Sequence, residues 1–225
     1  MQRNSLEKIL IGITFLSLMA SLYAIFFYAP LEATMGLVQK VWYFHLASAW
    51  VTFLAYAVVF VAGILYLSRK KRCFDILGYS SAGIGVVFNT LVLVTGSIWA
   101  KPIWGTWWTW DSRLSTTLIL WLMYIAYLML RTSSGEDSKG ARLAAVFGIV
   151  AFIDVPIVYM SIRWWRTIHP LVFKSKGTEV DPAMLTTLLI SLVAFTLLYL
   201  CLLRQRIALE HLKDELERVK EKIRR

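Results

Sequence analysis

Charged residues are scarce in this chain of 225 residues: they make up 17% of it, whereas 58% is hydrophobic and 14% aromatic. A soluble domain ordinarily carries about 25% charged and 45–50% apolar residues. The composition therefore excludes a disordered chain, a disulfide scaffold and a water-soluble enzyme. The chain has only two cysteines, and neither Cys73 nor Cys201 lies where we expect an external disulfide. The chain has no Cys-x-x-Cys-His motif, so it is not itself a c-type cytochrome.

The chain is instead rich in long runs without Asp, Glu, Lys or Arg. Each run is close to or above the roughly 20 residues that cross a bilayer core as a helix. A sixth run, at residues 143–162, carries only Asp154. This pattern predicts an all-α polytopic integral membrane protein, with six transmembrane helices within residues 1–203 and a charged helical tail at 204–225. The five runs without any charge are residues 9–28, 41–68, 76–100, 114–130 and 184–203.

The net charge of +10 follows membrane topology and does not indicate nucleic-acid binding. Six spans place both termini on one side of the bilayer, and that side holds 17 Lys or Arg residues against 7 on the other. The positive-inside rule therefore predicts cytoplasmic N and C termini. The loop at residues 69–72 and the tail supply most of the excess.

The tail carries an apolar stripe with heptad spacing. Its members are Leu212, Leu216, Val219 and Ile223. One interpretation is a docking helix for a cytoplasmic partner, and the other is a solvated extension of the last span that rests at the headgroups. Fewer than three full heptads are present, which favours the second interpretation.

The densest chemical feature is the segment 104–114, Trp-Gly-Thr-Trp-Trp-Thr-Trp-Asp-Ser-Arg-Leu. We call residues 99–114 the Trp loop, because Trp99 lies just before this segment. If the segment is helical, four of its side chains share one face and form an aromatic shelf that ends in a carboxylate. These four are Trp104, Trp107, Trp108 and Asp111.

A shelf of indoles suits a large planar apolar ligand, which binds by stacking. Arg113 and Lys101 are near enough in sequence to pair with carboxylates on such a ligand. The alternative is an interfacial aromatic belt, because Trp is enriched at membrane–water boundaries. A belt spreads a few aromatics over all span ends, whereas here four tryptophans, including Trp110, are interleaved with Gly, Asp and Arg. The pattern favours ligand binding.

The chain has three histidines, and two of them lie on the same predicted side as the Trp loop. His45 shares an apolar helical stripe with Trp42 at the external start of the second span, and His169 lies in the third external loop. Two imidazoles on either side of an aromatic shelf can supply both axial ligands of one haem iron. A lone histidine near a membrane surface is ordinarily a plain polar residue, and we assign that role to His211 in the tail.

Asp154 lies inside the fifth hydrophobic run, two residues before Pro156. An intramembrane acid is a functional candidate by default. Proline also leaves a backbone carbonyl one turn earlier without its donor. A protonated Asp154 can donate to that carbonyl or pair with Asn89, and we favour this structural role over a proton relay.

These segments resemble a known family. The segment 104–114 is similar to the Trp-rich signature of the haem-handling membrane proteins of cytochrome c biogenesis, and within that group the cytochrome c maturation protein C family (haem exporter protein C) is most similar. Tyr43-Phe-His45-Leu-Ala-Ser-Ala-Trp50 resembles the first histidine segment of that family. Val-Pro-Ile-Val-Tyr at 155–159 and Trp-Trp-Arg-Thr-Ile-His at 164–169 resemble its second. The resemblance covers roughly residues 41–170, and six spans also fit.

The resemblance implies a protein that binds haem b as a transported ligand and does not act as an enzyme. It implies that the Trp loop holds haem at the external, periplasmic surface of the bacterial inner membrane, with His45 and His169 as axial ligands. It also implies transfer to a membrane-anchored haem chaperone, beside an ABC transporter and a small single-span subunit.

Three other functions remain open. A cytochrome c synthase shares the Trp-rich signature but is usually longer, with extra spans or a large external domain. A b-type electron-transfer cytochrome normally buries haem between spans, whereas His169 is predicted in a loop. A permease with its own path needs charged lining, and apart from Asp154 the spans lack it.

Overall fold

The computed structural model describes residues 5–32, 35–133, 138–165, 167, 169 and 180–224. Within these residues the chain forms seven α-helices, and a short π-helical segment, Ala24–Tyr28, continues the first of them. The helices are α1 (Ser5–Tyr23), α2 (Gln39–Arg69), α3 (Arg72–Trp104), α4 (Ser112–Ser133), α5 (Ser138–Ala151), α6 (Asp154–Trp164) and α7 (Pro182–Arg224).

Six helical units in the described part of the chain are long and apolar enough to cross a membrane. They confirm the predicted all-α, six-span fold. The side on which the termini lie stays a prediction. The fifth unit combines α5 and α6, and the six are Ser5–Tyr28, Gln39–Arg69, Arg72–Trp104, Ser112–Ser133, Lys139–Trp164 and Pro182–Arg224.

The antiparallel pair of α2 and α3 forms the centre of the bundle. α2 also packs against α5 and α7, and α3 packs against α4 and α7. Small residues allow the helices to approach closely, as is usual between spans. A Cβ at Gly85 of α3 would lie 2.5 Å from the Tyr56 ring of α2. The Tyr56 ring in turn stacks on that of Tyr124 of α4, with their centroids 3.4 Å apart.

The fifth span is interrupted between Ala151 and Asp154, where α5 ends and α6 begins. Pro156 explains the break, because proline has no N–H and its ring clashes with the carbonyl four residues earlier. Asp154 is 9% exposed, and its Oδ2 atom has no hydrogen-bond partner among the described residues. The predicted pair with Asn89 is not formed within those residues: Asn89 donates to the Tyr56 hydroxyl over 3.4 Å, and its own Oδ1 atom has no partner there.

A buried ion pair ties three helices together at the end of the bundle opposite to the Trp loop. The Nε and Nη2 atoms of Arg131 in α4 donate to both oxygens of Asp75 in α3, over 2.8 and 2.7 Å. Arg72 pairs with the same carboxylate and donates to both oxygens of Asp214 in α7, over 3.1 and 2.9 Å. This second pair fastens the tail to the start of α3.

The tail continues the last span without a break, because α7 runs from Pro182 to Arg224. The boundary at 203/204 therefore marks a change in composition within one helix. All four members of the predicted heptad stripe have exposed side chains: Leu212, Leu216, Val219 and Ile223. Whether they meet headgroups or a partner stays a prediction.

Candidate ligand-binding site

A cavity of about 420 Å³ lies at the end of the bundle that carries the Trp loop. This volume is within the range of about 300–1,000 Å³ that is usual for small-molecule sites. Walls come from α2, α3, α4, α6 and α7, so the cavity opens between the spans and reaches the Trp loop. Apolar side chains dominate the lining, and its aromatic and basic members include Trp42, His45, Trp99, Trp104, Trp108, Arg113, Arg163 and His169.

His45 is held against α3 by hydrogen bonding and by a close approach. Its Nδ1 atom lies 3.1 Å from the hydroxyl oxygen of Thr95, which donates its own proton to the Leu91 carbonyl over 2.6 Å. The Thr95 oxygen therefore accepts from Nδ1–H, and Nε2 keeps a free lone pair. A Cβ at Gly96 would lie only 3.1 Å from Cε1 of His45, so a glycine at this position gives the ring its room.

His169 lies beside two indoles in the same cavity. Its ring centroid is 6.5 Å from that of Trp99 and 5.5 Å from that of Trp104. Burial, followed by electrostatic interactions with Arg113 and with the His45 ring, lowers the pKa of His169 to about 3, against a smaller opposing effect of Asp111. The ring is therefore neutral at physiological pH, as a metal ligand has to be. Its Nδ1 atom is buried without a partner among the described residues.

The Trp loop is not one continuous helix, so Trp104, Trp107, Trp108 and Asp111 do not share one helical face. α3 ends at Trp104, where Gly105 adopts a left-handed conformation with φ of 75° and its N–H bonds to the Lys101 carbonyl over 3.0 Å. Such a glycine is a common helix terminator. α4 begins only at Ser112. The expectation of a helical shelf is therefore wrong.

The loop instead divides its tryptophans between two environments. Trp104 and Trp108 line the cavity together with Trp99. Trp107 and Trp110 lie outside it, with 57% and 78% of their surfaces exposed. The sequence analysis named Trp99 only as a neighbour of the segment 104–114. Its position at the end of a span could have indicated that it belongs to the site.

Two arginines line the cavity. Arg113 of α4 has a buried Nη1 atom without a hydrogen-bond partner among the described residues. Arg163, at the end of α6, also lines the cavity, and sequence reasoning missed it because we counted it only as a topological charge. Lys101 does not line the cavity: it donates to the Gly105 carbonyl over 3.0 Å and lies 6.0 Å above the Trp107 ring.

Asp111 joins the Trp loop to the segment that carries His169. Its Oδ1 atom accepts from the N–H of Leu114 over 2.9 Å, which caps the start of α4. Its Oδ2 atom accepts from the hydroxyl of Thr167 over 2.8 Å. The carboxylate is not part of the cavity lining. Thr167 was not foreseen, because no local pattern links it to a residue 56 positions earlier.

The model of the heme exporter protein C family matches residues 2–222 of this sequence. The chain belongs to the heme exporter protein C family. The resemblance seen in the Trp-rich and histidine segments is thereby confirmed for nearly the whole chain, including the first span and most of the tail, where the motifs gave little signal.

Individual relatives agree with this assignment. The chain is similar to heme exporter protein C of Bradyrhizobium diazoefficiens, with 36% identity over 77% of this chain and 67% of the relative. Heme exporter protein C of Escherichia coli is 33% identical over 80% of this chain and 74% of its own length. A protein of Marchantia polymorpha, named as a ccmC-like mitochondrial protein of cytochrome c biosynthesis, is 31% identical over 84% of this chain and 80% of its own length.

Proposed function

We propose that this member of the heme exporter protein C family binds haem in the cavity and passes it to a membrane-anchored haem chaperone for c-type cytochrome biogenesis. The single observation that carries the proposal is that His45 and His169, two imidazoles, line one aromatic cavity. The names of the relatives, which describe heme exporters and cytochrome c biosynthesis, support the same cargo.

The residues of the cavity fit haem as a ligand better than they fit a bare metal ion. The described part of the chain has no group of three or more His, Cys, Asp or Glu residues that could hold an ion. Haem brings its own four equatorial nitrogens and needs only two axial ligands. In the proposal, His45 and His169 bind the iron, and haem b is the form carried.

The other lining residues have roles that follow from their chemistry. Trp104 and Trp108, with Trp99, provide flat apolar faces for the porphyrin. Arg113 has an unpartnered buried Nη1 atom within the described structure and would pair with a propionate. Arg163 would be a second partner for the propionates.

Trp107, Trp110 and Asp111 enter the proposal differently, although the sequence suggested direct contact with haem. The two exposed indoles form an aromatic rim outside the cavity, where a haem chaperone or the headgroups would meet them. Asp111 supports the site through its hydrogen bonds to Leu114 and Thr167. The ABC transporter and the small single-span subunit remain proposed partners.

The proposed activity is binding and release, not catalysis. A ligand set with one histidine in a span and one in a loop suits a cargo that has to leave, because the loop ligand can move away without unfolding a helix. A b-type electron-transfer cytochrome would instead normally take both of its iron ligands from within spans. The periplasmic face of the inner membrane is the proposed location. The charge distribution supports an external site, and the resemblance to the family implies the inner membrane.

An absorption spectrum of the detergent-purified protein, expressed with adequate haem, tests the proposal. We expect a Soret band in the wild type. His45→Ala and His169→Ala should each change the spectrum or lower the haem retained, whereas the matched control His211→Ala should do neither. Added imidazole should partly restore each single-ligand variant, because it can fill a vacated axial position. A double variant with the wild-type spectrum would show that these histidines do not ligate the iron.

A further inference from the structure

Thr167 lies between the Asp111 carboxylate and the backbone of His169. Its hydroxyl donates to Oδ2 of Asp111 over 2.8 Å, and its oxygen accepts from the N–H of His169 over 3.1 Å. A threonine hydroxyl has one proton to donate and lone pairs to accept with, so both bonds form at the same time. The three residues thus make one continuous chain of hydrogen bonds.

This chain of bonds begins on a rigid element. Asp111 accepts from the N–H of Leu114 over 2.9 Å and so is fastened to the first turn of α4. Both carboxylate oxygens of Asp111 act as acceptors, one from the backbone of α4 and one from the Thr167 hydroxyl. These hydrogen bonds therefore hold the backbone of His169 in a fixed position relative to the start of α4.

His169 needs such support more than His45 does. His45 lies within α2, and its ring is bonded to Thr95 of the adjacent helix. His169 lies outside the helices, and its Nδ1 atom has no partner among the described residues. Outer groups that orient a metal ligand typically change metal affinity about 10- to 100-fold when removed. For His169, the supporting contact in the structure is the hydrogen bond from its backbone N–H to the Thr167 hydroxyl, which in turn bonds to Asp111.

We propose that Thr167 is a positioning residue, which ties His169 to Asp111 and thereby sets how readily this histidine ligates the haem iron. The inference rests on the proposed function, because it takes His169 as an axial ligand. It gives the carboxylate of the Trp loop a specific role, since Asp111 holds the loop ligand in place from outside the cavity.

Three variants test the role of the hydroxyl. Thr167→Val removes it and keeps the branched shape, and Thr167→Ser restores it. Thr109→Val is the matched control, because Thr109 lies in the Trp loop and its buried hydroxyl oxygen has no partner among the described residues. In Thr167→Val we expect the ratio of haem with His169 bound to haem without it to fall about tenfold, which corresponds to about 1.4 kcal/mol. Added imidazole should restore a six-coordinate spectrum. Thr167→Ser and Thr109→Val should match the wild type.

A second measurement uses the protein without haem. Hydrogen exchange of the His169 backbone N–H, measured in nanodiscs, should be faster in Thr167→Val than in wild type and unchanged in Thr109→Val. A wild-type haem spectrum in Thr167→Val would overturn the positioning role, whatever the exchange rate. The proposed function would still stand in that case if His169→Ala changed the spectrum. A His169→Ala variant with the wild-type spectrum would instead overturn the assignment of His169 itself, and with it the role of Thr167.

Discussion

The Nδ1 atom of His45 in α2 lies 3.1 Å from the hydroxyl oxygen of Thr95 in α3. Because Thr95 gives its own proton to the Leu91 carbonyl, the imidazole has to be the donor, and Nε2 is left as the nitrogen with a free lone pair. The contact between two spans thereby selects one tautomer of the ring. His45 and His169 are thus supported by different means, one by the α2–α3 pair and the other by a loop network.

Gly96→Ala should disturb the His45 ligand. The added Cβ would lie 3.1 Å from Cε1 of the imidazole, which is closer than about nine in ten such contacts, so the ring would have to give by a few tenths of an ångström. We expect a changed haem spectrum and less retained haem, with membrane insertion intact. Gly83→Ala is the matched control in the same helix, because a Cβ at Gly83 meets no atom within 4 Å. Equal spectra for the two variants would show that Gly96 does not shape the site.

The two environments of the Trp loop predict two outcomes for paired substitutions. Trp104→Ala with Trp108→Ala removes two faces of the cavity. Each lost stacking contact is worth about 0.5–1.5 kcal/mol, so haem affinity should fall about tenfold or more. Trp107→Ala with Trp110→Ala removes only exposed indoles and should leave haem affinity within about twofold of the wild type.

Haem titration of each purified pair measures this difference, and expression level and insertion serve as controls for folding. If loss of the exposed pair, Trp107 and Trp110, lowers haem affinity as much as loss of Trp104 and Trp108, the difference in exposure between the two pairs has no bearing on haem binding. If neither pair lowers it, the indoles are an interfacial belt.

The low pKa of His169 predicts how the site responds to acid. Burial first, and then electrostatic interactions with Arg113 and with the His45 ring, lower this pKa to about 3. An unfolded chain has a histidine pKa of about 6.5, so between pH 6.5 and 3 the unfolded state binds a proton that folded His169 does not. The contribution of His169 to the free energy of unfolding therefore decreases as pH falls through that window.

Two measurements check this expectation on the haem-free protein. The ¹⁵N imidazole signals of His169 should stay those of a neutral ring from pH 7.5 to 5. The free energy of unfolding of His169→Gln should decline less steeply with falling pH than that of the wild type. Titration of the His169 ring near pH 6 would contradict the burial of this side chain.

The predicted orientation can be measured with a native cysteine. Cys73 is exposed at the start of α3, near the basic loop at residues 69–72, and Cys201 is buried. A membrane-impermeant maleimide should therefore label Cys73 in inside-out vesicles and not in spheroplasts, and Cys73→Ser should abolish the signal. Trp110→Cys, in a Cys73→Ser background, should give the reverse pattern. Labelling of Cys73 from outside would place the cavity on the cytoplasmic face.

The sequence alone was enough to predict the six spans and the candidate histidines. Length and lack of charge determine which segments can cross a bilayer, and these are local properties of each run. His45, His169 and the Trp loop could be found for a similar reason, since they are dense or unusual patterns at the ends of runs. One prediction that failed was the helical shelf, because helical spacing was assumed through Gly105, where the chain turns left-handed.

What only the tertiary structure decided is which side chains meet. No periodic pattern distinguishes Trp108, which lines the cavity, from Trp107, which is exposed, because the conformation of a loop depends on what packs against it. Nor does any local signal connect Asp111 to Thr167, or His45 to Thr95, since those bonds depend on how the spans and loops are arranged in space. The sequence by itself determined the membrane architecture and the chemical groups at one end of the bundle, through hydrophobicity and composition. The tertiary structure determined their neighbours, because hydrogen bonds and ring contacts act only over a few ångströms.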